Sequence, residues 1–301
     1  MKTFYSRWLT LAIGALFAGL PMFAQEDFVA VEGQLLQMSD AEIRAANDSI
    51  LSEAYRLYLA EKVSWTMEDI FFEKCPRKQD FHGWFQYPDS TVYSNHGIFY
   101  NAQNEVIYEI SWNMETGNIQ VSDTLRAMSE SELSYNKIRL KCLNAVSTLE
   151  GVGAPPSGTN YSYEAILLDE NLIRVYVFLG TTQHGVIPFG SDFSYDCDFD
   201  GNVLAFRKYH NASILAPTKV DGNPVLRMYH SHVDFCPLIA PTDIALFLLY
   251  GYELGGLDRF SVYSPSLNLV FTFNTNDYSI SYGPPEWVAL PKDKQQEVST
   301  D

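Results

Sequence analysis

The chain has 301 residues, of which 47% are hydrophobic and 14% aromatic. That is enough apolar material for one large or two ordinary packed domains, and it excludes wholesale disorder. Twenty Lys and Arg stand against 37 Asp and Glu, a formal charge of −17. Affinity that comes from neutralising phosphates needs a cation at each contact, so this balance argues against nucleic acid and anionic membrane surfaces as partners.

In chain order, the first segment carries Lys2 and Arg7, the apolar run Trp8 to Leu20, and then Pro21-Met22-Phe23-Ala24-Gln25. This is the three-part layout of a secretory signal, and it predicts cleavage after Ala24. The apolar run of about 13 residues is too short to span a bilayer, which takes roughly 20. The mature chain is therefore expected to be exported, periplasmic or secreted, with no transmembrane segment and a charge of −19. Four widely spaced cysteines, Cys75, Cys142, Cys197 and Cys236, form no C-x-x-C pattern and leave three disulfide pairings open beside the simpler expectation of buried free thiols.

Residues 25–38 read as a lead-in. Ser39 and Glu42 then form a capping box that opens a long helix, with Ile43, Ile50, Ala54, Leu57, Tyr58 and Trp65 at three- and four-residue steps on its packed face. From Trp84 to Val121 the pattern turns to short alternating runs broken by polar turns, a β-meander. A second capping box, Ser129 to Glu132, opens a helix that runs to about Leu149. Gly and Pro then crowd residues 151–160, which predicts a linker between an N-terminal α+β domain (25–150) and a C-terminal domain (161–283). The second domain is expected to hold strands at Tyr163 to Leu168, Leu172 to Leu179, Asp192 to Cys197, Val203 to Lys208 and Val225 to His230. One main helix follows from Thr242 to Leu254, and then strands at Arg259 to Tyr263 and Leu267 to Phe273. The fold class is α+β, a mixed sheet with one main helix in the C-terminal half, and the polar end (284–301) reads as a frayed tail.

Chemistry concentrates in His230-Ser231-His232 and Asp243. A strand's period of two puts His230 and His232 on one face, where two imidazoles can share a metal. Asp243 falls in the first turn of the next helix, where the dipole favours a carboxylate. Two His, one Asp and an open fourth position is the ligand count of a catalytic zinc, whose bound water becomes a nucleophile near neutral pH. Such a centre needs a general base outside the ligand set. Glu164, flanked by apolar residues at the start of the second domain, can fill that role or can point from the wet face of an amphipathic strand.

The run His230-Ser231-His232, seven residues, Ala240, two residues, Asp243 resembles the JAMM (MPN, JAB1-type) metalloprotease motif, and the likeness in element order covers about residues 160–275. The resemblance implies a zinc-dependent peptidase or isopeptidase in which His230, His232 and Asp243 hold zinc and Glu164 activates the attacking water. Two positions depart from it. Ala240 stands where the family has an oxyanion-stabilising Ser, so Thr242 or a backbone amide would have to substitute, and Val233 stands where a Pro is usual. Other segments, including Phe189-Gly190-Ser191-Asp192-Phe193 and Thr242-Asp243-Ile244, resemble exported proteins of Bacteroidetes-type bacteria, a likeness that carries no activity.

Three readings of other residues complete the set. Asp196-Cys197-Asp198-Phe199-Asp200-Gly201 imitates a calcium loop, but its twelfth position is Arg207, so it reads as a hairpin turning at Asp200-Gly201-Asn202. His210 could be a third imidazole near the site, although a lone His more often serves as a hydrogen-bonding residue of the core or surface. Trp65, Trp84 and Trp112 suit a binding surface for a peptide, glycan or envelope partner. A non-catalytic exported binding module on the same fold is thus the alternative to the peptidase, and a structural envelope subunit is a third.

Overall fold

The computed structural model describes residues 36–88, 93–148, 154–169, 171–225 and 227–285. The predicted signal segment, the start of the predicted linker at 151–153 and the predicted tail beyond 285 lie outside the described residues. Both capping boxes form as the sequence dictates. Ser39 and Glu42 close the N-terminus of helix α1 (Asp40–Lys74), and Ser129 and Glu132 close that of α2 (Glu130–Ser147). Between the helices the meander is β1 (Gly83–Pro88), β2 (Ser94–Tyr100), β3 (Glu105–Asn113) and β4 (Asn118–Ser122), paired in that order, with β5 (Arg126–Ala127) on β3.

After α2 come β6 (Thr159–Asp169), β7 (Leu172–Thr181), β8 (Val186–Gly190), β9 (Phe193–Asp198) and β10 (Val203–Lys208). Four of these build an antiparallel sheet in the order β10-β9-β7-β6. The hairpin predicted between β9 and β10 is present, its turn held by the Asp198 carboxylate, which accepts from the amides of Asp200 (2.9 Å) and Asn202 (2.8 Å). The strand β11 (Ser213–Pro217) pairs with β8, and β12 (Lys219–Val220) with β13 (Asn223–Pro224). The last sheet is β14 (Tyr229–Ser231), β15 (Arg259–Ser264), β16 (Leu269–Asn274) and β17 (Ser279–Gly283), in which β14 runs parallel to β15.

Two elements differ from expectation. The strand predicted at Val225 to His230 is only Tyr229–Ser231, which pairs with β15; ahead of it the Ser261 amide donates to the Met228 carbonyl (2.9 Å) and the Val225 amide to the Thr218 carbonyl (2.9 Å). The helix expected over 242–254 is α3 (Pro241–Leu246) continued by a wider π-helical stretch, Phe247–Glu253. Its apolar residues from Ile244 to Tyr250 are buried all round, so periodicity gave no sign of the change.

The four-stranded sheet is buried on both faces. Val175 and Val177 pack with Cys142 and Val146 of α2, while Tyr176 and Phe178, one residue out of phase, join the core under α1. That second core mixes Ile43, Ala54 and Leu57 of α1 with Ile244, Phe247, Phe260 and Phe271 from the far end of the chain. Farther along α1, Met67 and Phe71 pack on the meander, where Phe71 stacks on Phe99 at 4.2 Å. The helix is thus shared, and residues 151–160 do not separate two independent cores. All four cysteines are free thiols. Among the described residues no helix is long and apolar enough to cross a membrane.

Candidate metal centre

His230 lies on β14 and His232 just beyond it, where the His232 amide donates to the Tyr263 carbonyl (2.8 Å) and prolongs the pairing with β15. The two rings therefore project to the same side, 5.1 Å apart and nearly parallel. Asp243 sits in the first turn of α3, its Oδ2 accepting from the Ala240 amide (3.0 Å), so the helix start fixes the carboxylate. A third imidazole completes the group. His210 follows β10, and at the base of that hairpin the Tyr209 amide donates to the Asp192 carbonyl (3.1 Å), which sets Asp192 and His210 side by side.

The four side chains converge. His210 Nε2 is 2.9 Å from His232 Nε2 and 3.4 Å from His230 Nε2, and His230 and His232 Nε2 are 3.1 Å apart. Asp243 Oδ2 is 2.9 Å from His232 Nε2, and its Oδ1 is 3.3 Å from His230 and 3.4 Å from His210. Ligand atoms held about 2.0–2.1 Å from one tetrahedral ion lie about 3.3 Å from each other, close to these separations. All four residues are buried, and their ligand atoms could hold a metal ion.

The outer contacts fix the protons. His210 Nδ1 faces Asp192 Oδ1 at 2.6 Å, and His232 Nδ1 faces the Cys236 carbonyl at 3.0 Å. Carboxylate and carbonyl oxygens only accept here, so each Nδ1 donates and each Nε2 is left to turn a lone pair into the cluster. Two such lone pairs 2.9 Å apart repel unless a cation lies between them. A proton can bridge one pair, yet Asp243 Oδ1, buried and without a hydrogen-bond partner, stays unsatisfied. Burial raises the Asp243 carboxyl, and only positive charge on His210, His230 and His232, as imidazolium, outweighs it and holds the carboxyl well below the usual range. Asp192 also accepts from the Thr242 hydroxyl, so it locks His210 and α3 from behind, as carboxylates behind metal-bound histidines do.

The predicted ligands His230, His232 and Asp243 are thus brought together, while the predicted base is not. Glu164 lies on β6, at the opposite edge of the four-stranded sheet from the strand that leads to His210. Three strand spacings of about 4.8 Å separate those edges, beyond the reach of one bridging water. Glu164 faces α1, because it pairs with Tyr176 on that side, and it lines a different cavity. His210 stands beside His230, His232 and Asp243, where the sequence led us to expect an open fourth position. Thr242, the candidate replacement for the missing Ser, is committed to Asp192. Of Trp65, Trp84 and Trp112, none is exposed; each is half-buried against a core cluster.

His210 was visible in the sequence as a candidate, but Asp192 was not, since nothing local marks a carboxylate whose partners lie 18 and 50 residues away. One signal was present in the adjoining Gly190, which has φ of +81°; an added Cβ would come within 2.1 Å of the Ala212 carbonyl oxygen. That close approach lets the end of β8 lie against β11, which begins just after His210. Gly190→Ala is expected to cost about 2 kcal/mol and to loosen metal retention, measured by thermal melting and metal content. An unchanged melting temperature would contradict the clamp. Comparison with protein-family models, curated proteins and solved structures gives no match to this chain.

Proposed function

We propose that this chain is an exported zinc protein in which His210, His230, His232 and Asp243 form a closed centre that ties three parts of the fold together and carries no hydrolytic role. The observation that carries the proposal is the convergence of three Nε2 atoms and one carboxylate, with the Nδ1 atoms of His210 and His232 already committed as donors. Zinc suits three imidazoles and one carboxylate in a compact set with edges of 2.9–3.4 Å. A catalytic zinc keeps one position for water, whereas here a fourth protein side chain fills it. The centre joins the segment after β10, the end of β14 and the start of α3, which the chain supplies from distant stretches. On this reading the protein is a binding or interaction module for a peptide or protein partner outside the cytoplasm, in keeping with its N-terminal segment and acidic charge.

The JAMM-like peptidase is the second reading, favoured by the His230, His232 and Asp243 spacing, and it requires His210 to leave the metal. Metal analysis of protein purified without chelators separates the two. About one zinc per chain is expected, and His210→Ala should lose most of it, as four-ligand sites depend on each ligand. Retention of zinc by His210→Ala, together with hydrolysis of peptide or isopeptide substrates, would support the peptidase. Absence of any tightly bound metal from the wild-type chain would remove both readings.

A further inference from the structure

The amino-acid sequence leaves the pairing of the four cysteines open, and the fold places them in unlike settings. Cys75 lies in the core between α1 and the meander, and Cys236 lies beside His232. Cys142 and Cys197 instead share the core between α2 and the four-stranded sheet, each 0% exposed. Alternation along β9 puts Cys197, like Phe193 and Tyr195, on the face that α2 covers. The helix comes close there. Cys142 Sγ donates to the carbonyl of Asp198 (3.4 Å), one residue on from Cys197. In the turn that follows, a Cβ added at Gly201 would stand 3.0 Å from Lys141 Cβ.

The two thiols also meet each other. Cys197 donates to Cys142, which lowers the Cys142 thiol and, together with burial, raises that of Cys197. Donation from Cys197 to Cys142, and from Cys142 to the Asp198 carbonyl, sets the two sulfurs against one another. Cα atoms of α2 and β9 approach within 8 Å, near the roughly 4.4–6.8 Å that a disulfide spans. A bond here would tie α2 to an inner strand of the sheet and close a loop of about 55 residues. Such a loop restricts the unfolded chain far more than the folded one.

We propose that a disulfide joins Cys142 to Cys197 when the chain folds in an oxidising compartment, while Cys75 and Cys236 stay thiols. The setting rests on the export reading, which is tested apart by where the chain is found in the producing cell; the bond itself can be made in vitro with oxidised glutathione. The Cys142 thiolate attacks one sulfur of that oxidant and releases one glutathione. The Cys197 sulfur then displaces the second from Cys142, so two electrons and two protons pass from the cysteines to two molecules of reduced glutathione. Neither sulfur reaches solvent, which assigns the oxidation to folding, before α2 closes on the sheet. Refolding of the denatured, reduced full chain in a mixture of reduced and oxidised glutathione tests this, read by non-reducing peptide mapping and by thiol counting in denaturant. A linked Cys142–Cys197 peptide pair and two remaining thiols are expected. The linked chain should melt about 10 °C above the same chain refolded in reductant. The double variant Cys75→Ala, Cys236→Ala should form the same bond with the same rise in melting temperature. Zinc content of the same samples reports the metal centre separately, since the bond can form without zinc and fail with zinc retained. The proposal is overturned if the refolded chain keeps four thiols, if the mapped bond joins any other pair, or if the linked chain melts no higher than the reduced one.

Discussion

Asp243→Ala is expected to abolish metal retention and to lower the melting temperature by about 10 °C. Asp243 is 1% exposed and is the only acidic member of the cluster. Its removal leaves three imidazoles facing one another, takes the acceptor from the Ala240 amide, and opens a void at the start of α3. Removing one partner of a buried charged set costs about 3–5 kcal/mol, and in a domain of this size each kcal/mol shifts the melting temperature by roughly 2–4 °C. Chelation of the wild-type protein should produce most of the same drop, because binding to the folded state alone stabilises it. Chelator should then do little to the variant. A variant that melts as the wild type does, or a wild type indifferent to chelator, would show that no metal supports the fold.

Arg174→Met should destabilise the protein by about 3 kcal/mol without changing its metal content. Arg174 lies on β7 facing α1, and its guanidinium reaches Glu53 of α1 (2.6 Å) and both oxygens of Asp196 on β9 (2.6 and 3.0 Å). Burial raises the Asp196 carboxyl, but Arg174 and then Arg207 outweigh it and hold it below its ordinary value. Methionine keeps the volume of the stem and leaves two largely buried carboxylates short of a cation, for which the usual cost is about 3–5 kcal/mol. The lower end applies because Arg207 still reaches Asp196 (3.1 Å) and the Tyr176 hydroxyl still donates to Glu53. Adding Glu53→Gln to Arg174→Met should recover part of the loss in a denaturant melt. If the double variant is the less stable by the full sum of the two single changes, the coupling between α1 and the sheet is not electrostatic.

Three of the four converging side chains were legible because a local rule suffices for each of them. A two-residue step sets His230 and His232 on one side, and the first turn of a helix favours Asp243. His210 obeys no such rule. It joins the group because the β9–β10 hairpin brings its end back to Asp192, and a hairpin's end has no sequence mark of what lies across from it. Glu164 failed as the base for the complementary reason. Strand periodicity gives two faces, and only the pairing of β6 with β7 decides that the carboxylate looks toward α1.

The amino-acid sequence by itself determined the α+β class, both capped helices, the meander, the β9–β10 hairpin and three of the four converging ligands, since each depends on neighbours a few residues apart. Tertiary structure decided how α1 is shared between two cores, why the Gly- and Pro-rich segment does not divide the chain into independent halves, and which fourth side chain closes the cluster. These depend on packing between surfaces far apart in the chain. A buried face shows in the sequence as periodicity, but the surface that buries it does not.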